Sequence, residues 1–353
     1  MNANKKVTVA MSGGIDSAVA ALLTVKLGYD ACGATMKLCP QNMCGTDAIE
    51  KDIKDAESIC KQIGIPFEVY DLKDQFNSTV IKDFIDRYME GATPNPCVVC
   101  NKLMKFGALL DIALKNGADY IATGHYARIE CDDNGRFLLK RAADSKKDQT
   151  YMLWTLSQHQ LSHTLFPLGD LTKDEIRRIG QENGFVNAHK SDSQDICFVP
   201  DGNYASFIEK QIGYEYPTGN YIDEDGNILG THKGMIHYTV GQRKGLGISM
   251  GRHIFVTQKN AVDNTVTLAD EDRIFTNKVI IKNINLIPFD TLENPLRVEA
   301  KIRYSQSMSA AIATQPGEDE ITLIFDQPQR APAKGQSAVM YCSDTVIGGG
   351  IIQ

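Results

Sequence analysis

Two cysteines three residues apart are the first residues whose type and spacing suggest chemistry. Cys97 and Cys100 stand in the segment TPNPCVVCNKLMKF, residues 93–106, behind two prolines and ahead of an apolar run with helical spacing. Proline fixes its own φ at about −65° and restricts the residue before it, so both thiols should be held at a defined place. Helix N-termini and cations stabilise a thiolate. Because Lys102 and Lys105 follow closely, we expect Cys100, at the predicted helix start, to be the stronger nucleophile.

A third cysteine lies in a separate segment, KSDSQDICFVP, residues 190–200. Cys197 stands there between Ile196 and Phe198. Taken alone, this pattern is typical of a buried core cysteine.

A glycine-rich loop, MSGGIDS at residues 11–17, follows the first predicted strand and opens the first predicted helix. Gly13 and Gly14 can adopt backbone angles closed to other residues, so amide groups could approach an anion at the positive end of the helix dipole. The loop lacks the spacing of a Walker A motif. Asp16 would repel phosphate unless it holds a metal ion such as Mg²⁺. The pattern S-G-G-x-D-S resembles the PP-loop ATP pyrophosphatases, which cleave ATP between the α and β phosphates.

The elements that position these groups alternate between strand and helix. Strand patterns cover residues 5–11, 29–38, 65–72 and 119–124, with helical patterns at 18–28, 47–64, 74–90 and 101–115 between them. Alternation of this kind predicts a parallel sheet with helices on both faces and ligands at the carboxyl ends of the strands. After Cys197 glycines become frequent, and short alternating strands from about residue 279 predict a small antiparallel barrel.

Composition restricts the class of protein. The 353 residues are 42% apolar and 23% charged, as expected for a globular protein of two or three domains. We find neither a signal peptide nor a long apolar stretch, and we expect a cytoplasmic protein without a membrane partner. The net charge of −7 argues against a broad nucleic-acid coat, yet residues 228–260 carry five Lys or Arg and no Asp or Glu. That stretch is either a solvated basic face or a phosphate-contacting surface.

Nine segments, in chain order, are similar to those of the bacterial tRNA-specific 2-thiouridylases: MSGGIDS, TPNPCVVCNKLMKF, ATGHYAR, KDQTYMLWTL, LFPLGDLTKDEIR, SDSQDICF, HYTVGQRKGLG, KIRYSQ and GQSAVMYC…GGGII. The resemblance covers nearly the whole chain. It implies a Rossmann-like PP-loop domain at 1–202, a small central tRNA-contacting domain at 203–275 and a C-terminal antiparallel β-barrel at 276–353. The implied activity is ATP-dependent conversion of the wobble uridine, U34, of tRNA to 2-thiouridine. The implied partners are tRNAs for lysine, glutamate and glutamine and a cysteine desulfurase or sulfur-relay protein.

The resemblance also implies a role for each matching position. Cys197 would carry a persulfide and Cys100 would be its partner thiol, beside a uridine flipped out of the anticodon stack. The other matching positions are those for ATP (Ala10, Met11, Ser12, Gly13, Gly14, Ile15, Asp16, Ser17, Met36, Gly124), for the target base (Asn95, Pro96, Cys97) and for tRNA (His125, Lys147, Asp148, Gln149, Arg303, Tyr304, Gln336).

One departure from the family leaves the sulfur chemistry open. Known members have an aspartate where this chain has Cys97, so the proton-transfer role of that aspartate does not carry over. Cys97, Cys100 and Cys197 could instead ligate an iron–sulfur cluster. A zinc site from Cys39, Cys44, Cys97 and Cys100 also has enough ligands. Rival classes are a PP-loop synthetase for a small molecule, which would leave the cysteines unexplained, and a non-catalytic zinc-dependent RNA-binding module, which would leave the phosphate loop unexplained.

Overall fold

A computed structural model describes residues 5–39, 46–187 and 196–353. The chain forms two compact units. The first contains residues 1–80, 97–200 and 344–346, and the second contains residues 81–96, 201–343 and 347–353.

The first unit is built on a five-stranded parallel sheet with the strand order β3-β2-β1-β4-β7. The strands are β1 (Lys6–Ala10), β2 (Asp30–Lys37), β3 (Phe67–Asp71), β4 (Tyr120–Ala122) and β7 (Thr164–Leu165). The order reverses between β1 and β4, which is where open α/β sheets place their ligands. A hairpin of β5 (Ala127–Cys131) and β6 (Phe137–Arg141) belongs to the same unit.

The helices of the described chain are mostly short. They are α1 (Ile15–Lys26), α2 (Thr46–Ile63), α3 (Lys73–Phe76), α4 (Lys82–Met89), α5 (Pro96–Cys100), α6 (Leu110–Lys115), α7 (Gln158–Ser162), α8 (Lys173–Glu182) and α9 (Tyr204–Ile212). π-helical segments, Asn77–Ile81 and Asn101–Leu109, join α3 to α4 and α5 to α6. Val7 and Val9 of β1 share one buried apolar cluster with Ala18 of α1 and Ile59 of α2, so this strand and these helices form a common core.

The second unit contains a four-stranded sheet and a barrel. The sheet has the order β10-β11-β8-β9, formed by β8 (Gly219–Ile222), β9 (Ile228–His232), β10 (Phe255–Asn260) and β11 (Thr265–Ala269). The barrel strands are β12 (Phe275–Leu286), β13 (Leu296–Lys301), β14 (Ser309–Gly317), β15 (Glu320–Arg330), β16 (Ser337–Cys342) and β17 (Thr345–Ile352). Pairing of β12 with β17 closes it, with Ile281 opposite Ile352. Alternate residues such as Ile321, Leu323 and Phe325 fill its core.

The predicted fold class is confirmed: a parallel Rossmann-like sheet, a small central domain and an antiparallel barrel are all present. Two local features differ from the predictions. The helix that was predicted to start at Cys100 already begins at Pro96, so Cys97 as well as Cys100 lies on a helix. The strands β8 to β11 were not predicted, because glycine and polar residues interrupt their alternation. No helix in the described ranges is long and apolar enough to span a membrane.

Candidate functional site

The glycine loop leaves the carboxyl end of β1 and enters α1 at the point where the strand order reverses. Gly13 has φ +71°, and a Cβ atom there would lie 2.6 Å from the backbone oxygen of Asp52. Gly14 has φ −95°, an ordinary angle, so the expected special conformation applies to Gly13 only. No side chain caps α1 at Gly14. This helix start therefore has the geometry of an anion site, which is what phosphate binding requires.

Serine side chains fix the shape of this loop from inside. The Ser17 hydroxyl donates to the Gly14 carbonyl at 2.9 Å and accepts from the Ser12 amide at 3.2 Å. Met11 donates its amide to Ala34 of β2, and Ile15 is buried. Ala10 is the last residue of β1. The loop is therefore held by its own hydroxyl groups, and exposed Ser12 is its most accessible residue.

Asp16 is ion-paired inside the protein. Both carboxylate oxygens accept from Lys173 Nζ, at 2.8 and 2.9 Å, and one also accepts from the Tyr126 hydroxyl at 2.8 Å. The Lys173 side chain is only 6% exposed. Because an ammonium already neutralises this carboxylate, the arrangement does not fit the predicted role of Asp16 as a Mg²⁺ ligand, and the residue instead orients Lys173 beside the loop.

Two further positions predicted for ATP lie on neighbouring strands of the same sheet. Gly124 follows β4, and a Cβ atom there would lie 2.8 Å from both the Asp16 carbonyl carbon and the Ser17 amide nitrogen. Only glycine permits this approach to the helix start. Met36 is half-buried near the end of β2. Their contact with ATP stays a prediction, but both stand at the expected edge of the sheet.

The two cysteines of the proline-rich segment lie on one continuous helical path. α5 carries Cys97 and Cys100, and the π-helical segment from Asn101 continues it into α6. The Asn101 side chain donates to the Met152 carbonyl at 2.9 Å, which fixes the helix next to the first-unit core. The exposed side chain of Cys97 and the half-buried side chain of Cys100 are separated by one helical turn.

The three candidate thiols interact with one another and with one cation. Burial raises the pKa of Cys100 to about 12; Lys105 lowers it, and Cys197 and Cys97 raise it further. Surrounding protein also raises the pKa of Cys97 and of Cys197, although both side chains are exposed, and Lys105 opposes both shifts. The expectation that the Cys100 environment favours a thiolate is therefore wrong for this conformation, because burial outweighs the cation.

The structure bears on the zinc alternative through the placement of its proposed ligands. No group of three or more His, Cys, Asp or Glu side chains is placed to hold a metal ion anywhere in residues 5–39, 46–187 and 196–353. Cys39 is disulfide-bonded, so its sulfur is not available as a zinc thiolate, and Cys44 lies outside the described residues. The zinc prediction is therefore wrong for Cys39. Ligation of an iron–sulfur cluster by Cys97, Cys100 and Cys197 stays a prediction.

The residues predicted to contact tRNA in the first unit have internal partners. His125 is buried, with Nδ1 2.8 Å from the Thr123 hydroxyl and Nε2 3.5 Å from Lys105 Nζ. Burial, followed by Lys105, lowers its pKa well below the usual range, so the ring is neutral. A contact from the ring to tRNA would require it to leave this position.

Lys147 ends a turn, and Asp148 and Gln149 follow it directly. The Asp148 carboxylate accepts from the Ala142 amide and the Thr150 hydroxyl, and the Gln149 side chain accepts from the Tyr126 amide at 2.9 Å. Both side chains therefore shape the turn, and half-buried Lys147 has its amide bonded to Asp144. Their contact with tRNA stays a prediction.

The remaining predicted residues lie in the second unit. The Gln336 side chain donates to the carbonyls of Thr93 and Pro94, at 2.8 and 3.3 Å, directly before Asn95 and Pro96. Arg303 donates to the carbonyls of Val240 and Ala331. Tyr304 is 42% exposed, and Lys301 lies over its ring at 5.7 Å. Tyr304 is the exposed side chain of these three, and exposed aromatic rings suit stacking on bases.

Sequence reasoning missed three side chains around these sites. Lys173 lies in the segment LFPLGDLTKDEIR, where Thr172 and Glu175 form the capping box that starts α8. Lys105 was noted only as a neighbour of Cys100. Asn187, buried, donates to the Gly13 carbonyl at 3.1 Å. The capping box could have identified Lys173 as a first-turn residue, but no pattern in the sequence connects it with Asp16.

Comparisons with known proteins agree with this geometry. Three family models match in succession: a "tRNA methyl transferase HUP domain" at residues 5–201, a "tRNA methyl transferase PRC-barrel domain" at 205–270 and an "aminomethyltransferase beta-barrel domain" at 276–352. A solved 4-thiouridine synthetase–RNA complex with bound ATP is 18% identical, with a TM-score of 0.39, over 59% of this chain and 50% of that chain. A likeness at that level carries no argument.

Curated relatives are much more similar. The tRNA-specific 2-thiouridylase MnmA of Clostridioides difficile is 49% identical over 99% of this chain and 98% of its own length. The tRNA-specific 2-thiouridylase MnmA of Clostridium acetobutylicum is 47% identical over 99% of this chain and 100% of its own. Identity at this level over essentially the entire length confirms the predicted family: the chain belongs to the tRNA-specific 2-thiouridylases.

Proposed function

We propose that this protein is an ATP-dependent enzyme that converts a tRNA uridine, the wobble uridine U34, to 2-thiouridine. The observation that carries the proposal is that the first unit contains both a phosphate-binding helix start and three interacting thiols. ATP activation and sulfur transfer need these two devices. The names of relatives 47–49% identical over the full chain give the substrate class.

The phosphate loop supports the first step, adenylation of the uridine. O2 of uridine is a poor leaving group, so it attacks the α-phosphate of ATP and pyrophosphate departs. The uncapped start of α1 supplies the positive potential that this reaction requires. Asp16 keeps Lys173 in place from the loop itself, so the ion pair is part of the phosphate site. We place no metal ligand at Asp16, because its carboxylate is paired with Lys173.

The thiol cluster supports the second step. The terminal sulfur of a persulfide on Cys197 attacks C2 of the adenylated uridine and AMP leaves, which joins the base to Cys197 through two sulfurs. The Cys100 thiol then attacks Cys197 Sγ, releases the 2-thiouridine and leaves a Cys100–Cys197 disulfide. An external thiol reductant restores both cysteines, and a cysteine desulfurase or sulfur-relay protein reloads Cys197. The burial of Cys100 as a protonated thiol keeps it unreactive until a base or substrate changes its surroundings.

We prefer this relay to an iron–sulfur cluster because the relay needs only Cys100 and Cys197, the two thiols to which the resemblance to the 2-thiouridylases assigns sulfur transfer. The substrates that we expect are tRNAs with a wobble uridine for lysine, glutamate and glutamine. We place the reaction in the cytoplasm, where such tRNAs are used.

One experiment distinguishes the persulfide relay from the iron–sulfur cluster mechanism. The wild type and the variants Cys97→Ser, Cys100→Ser and Cys197→Ser are purified without oxygen and incubated with tRNA, ATP and a persulfide donor. We then measure pyrophosphate, 2-thiouridine and iron per protein. The relay predicts thiolation by the wild type and by Cys97→Ser, and none by the other two. An inactive Cys97→Ser together with about four irons in the wild type would establish a [4Fe–4S] cluster instead. Absence of both tRNA-dependent pyrophosphate and 2-thiouridine would contradict the proposed function.

A further inference from the structure

The backbone just before α5, the helix that carries Cys97 and Cys100, forms hydrogen bonds at three successive residues. In the second unit, Lys259 Nζ donates to the Ala92 carbonyl at 3.3 Å. The Thr93 amide donates to the Lys334 carbonyl at 2.7 Å. The Gln336 side chain donates to the Thr93 and Pro94 carbonyls. We call the segment Ala92–Pro94 the entry segment, because the chain passes from it through Asn95 into α5.

Lys259 is used in an unusual way for a lysine in a basic stretch. It lies on β10 and points its ammonium group toward the entry segment, 5.7 Å from the centre of the Tyr88 ring at the end of α4. Burial lowers the pKa of this ammonium to about 8. Burying a cation is unfavourable unless its contacts return the lost hydration. The carbonyl and the aromatic face are the contacts that do so here.

The turn that carries Gln336 is fixed by contacts of its own. Gly335 has φ +90°, and a Cβ atom there would lie 2.8 Å from Ala92 Cβ, so the turn at residues 333–336 contacts the entry segment directly. The last strand fixes this turn, since the Gly335 amide donates to the Ile352 carbonyl and the Ile352 amide donates to the Gln336 carbonyl. The central sheet therefore holds Ala92, and the turn before β16 holds Thr93 and Pro94.

The entry segment leads directly into the residues that the proposed reaction needs. Asn95, Pro96 and Cys97 follow it, and Cys100 is one helical turn further along. Proline at 94 and 96 limits the freedom of the connecting backbone. A displacement of Ala92 or Thr93 is therefore passed on to the start of α5.

We propose that Lys259 and Gln336 are positioning residues that fix where the cysteine helix begins. This inference rests on the proposed function for its effect on rate, but not for its effect on structure. Gln336, predicted as a tRNA contact, would act through the backbone that presents Cys97 and Cys100. Lys259 would act in the same way from the central sheet, which distinguishes it from the other cations of the basic stretch.

The test uses near-isosteric variants of the full-length protein. Lys259→Met removes the ammonium and keeps the length of the side chain, and Gln336→Glu replaces the donor by a carboxylate facing two carbonyls. Lys259→Arg keeps a cationic donor and should retain activity. Lys278→Met, at an exposed position on β12, is the matched control. Each variant is measured for thiolation kcat, tRNA Kd, thermal unfolding and hydrogen exchange of the amides in residues 92–100.

For Lys259→Met and Gln336→Glu we expect faster exchange in residues 92–100, a kcat lower by at least about tenfold and a tRNA Kd within about twofold of wild type. Lys278→Met should change none of these. Weaker tRNA binding with unchanged kcat and exchange would overturn the inference and make both residues tRNA contacts. Unchanged exchange in both variants would also overturn it. Faster exchange in a protein whose wild type makes no 2-thiouridine would support the positioning and contradict the proposed function, so the two failures are distinguishable.

Discussion

At the scale of single residues, Lys105 is the cation that acts on all three thiols. It lowers the pKa of Cys97, Cys100 and Cys197, whereas burial raises each of them. Loss of this charge should raise all three pKa values, so the thiolate fraction at a fixed pH falls and reaction with alkylating agents shifts to higher pH. The reactivity of all three thiols therefore depends on the charge of Lys105.

We predict that Lys105→Met slows alkylation of Cys97 and Cys197 by iodoacetamide at pH 8 by roughly threefold to tenfold. Lys102→Met is the control, because Lys102 is exposed on the same helical path. Rates are read by mass spectrometry of cysteine peptides across pH 7 to 10, a range chosen about the ordinary thiol pKa. Equal rates in both variants would remove Lys105 from the control of thiol reactivity.

Asp16 and Lys173 form an ion pair with one deeply buried partner, since the lysine is 6% exposed and the aspartate 30%. We predict that Asp16→Asn and Lys173→Met each lower the free energy of unfolding by about 2 kcal/mol, since each leaves a charge without its partner. The double variant should lose less than the sum of the two. Urea denaturation measures all three. Additive losses would mean that the pair contributes no coupling. Asp16→Asn should also abolish pyrophosphate release while tRNA binding persists.

Residue types could be predicted from the sequence, whereas their partners could not. The spacing C-x-x-C and the loop MSGGIDS identified the thiols and the phosphate site. The ion pair of Asp16 joins positions 157 residues apart, and the holding of Thr93 by Gln336 joins positions 243 apart. Contacts of this kind depend on how strands are ordered in space. The burial that raises the pKa of Cys100 has the same origin, so a local argument from cations gave the wrong direction.

At the scale of elements, the alternation of strand and helix patterns along the chain was sufficient to predict the parallel sheet, because strands separated by helices are typical of parallel sheets. α5 was missed as a helix because prolines at 94 and 96 indicate a loop, although proline is accepted in the first helical turn. The strands β8 to β11 were missed because residues such as Gly219 and Gly230 interrupt them. Gly219 is required there: a Cβ atom would lie 2.0 Å from the Asn264 carbonyl oxygen.

The turn at Gly241 precedes the exposed residues Arg243 and Lys244. Gly241 has φ +89°, a Cβ atom there would lie 2.6 Å from Ala331 Cβ, and Arg330 donates to its carbonyl. Gly247 has φ +70° with nothing within 4 Å of a Cβ atom. Gly241→Ala should therefore destabilise the protein and weaken tRNA binding, whereas Gly247→Ala should show only the backbone strain of about 1 kcal/mol. Denaturation and filter binding measure both effects. Equal losses in the two variants would show that the contact with Ala331 is unimportant.

At the scale of the whole molecule, an acidic protein must bind a polyanion through a local surface. The chain has 37 Lys and Arg against 44 Asp and Glu, and residues 228–260 have none of the latter. The five cations of this stretch differ in their partners and exposure. Arg252 pairs with Asp270 at 2.7 Å, and Lys259 is turned toward Ala92. Lys233, Arg243 and Lys244 are exposed and form no ion pair with the described residues. Three cations are therefore available for phosphate, fewer than the sequence count suggested.

The electrostatic part of tRNA binding should depend on these exposed cations. Each cation that neutralises a phosphate releases about one counterion, so the slope of log K against log salt reports how many cations take part. The double variant Arg243→Gln with Lys244→Gln should weaken binding and flatten that slope by at most about two. The double variant Arg297→Gln with Lys282→Gln removes the same charge from the barrel, where Asp326 and Glu320 already pair with these residues. Its slope should equal that of the wild type. If both double variants flatten the slope equally, net charge rather than the basic turn attracts tRNA; if neither does, residues 228–260 form a solvated face and the phosphate contacts lie elsewhere.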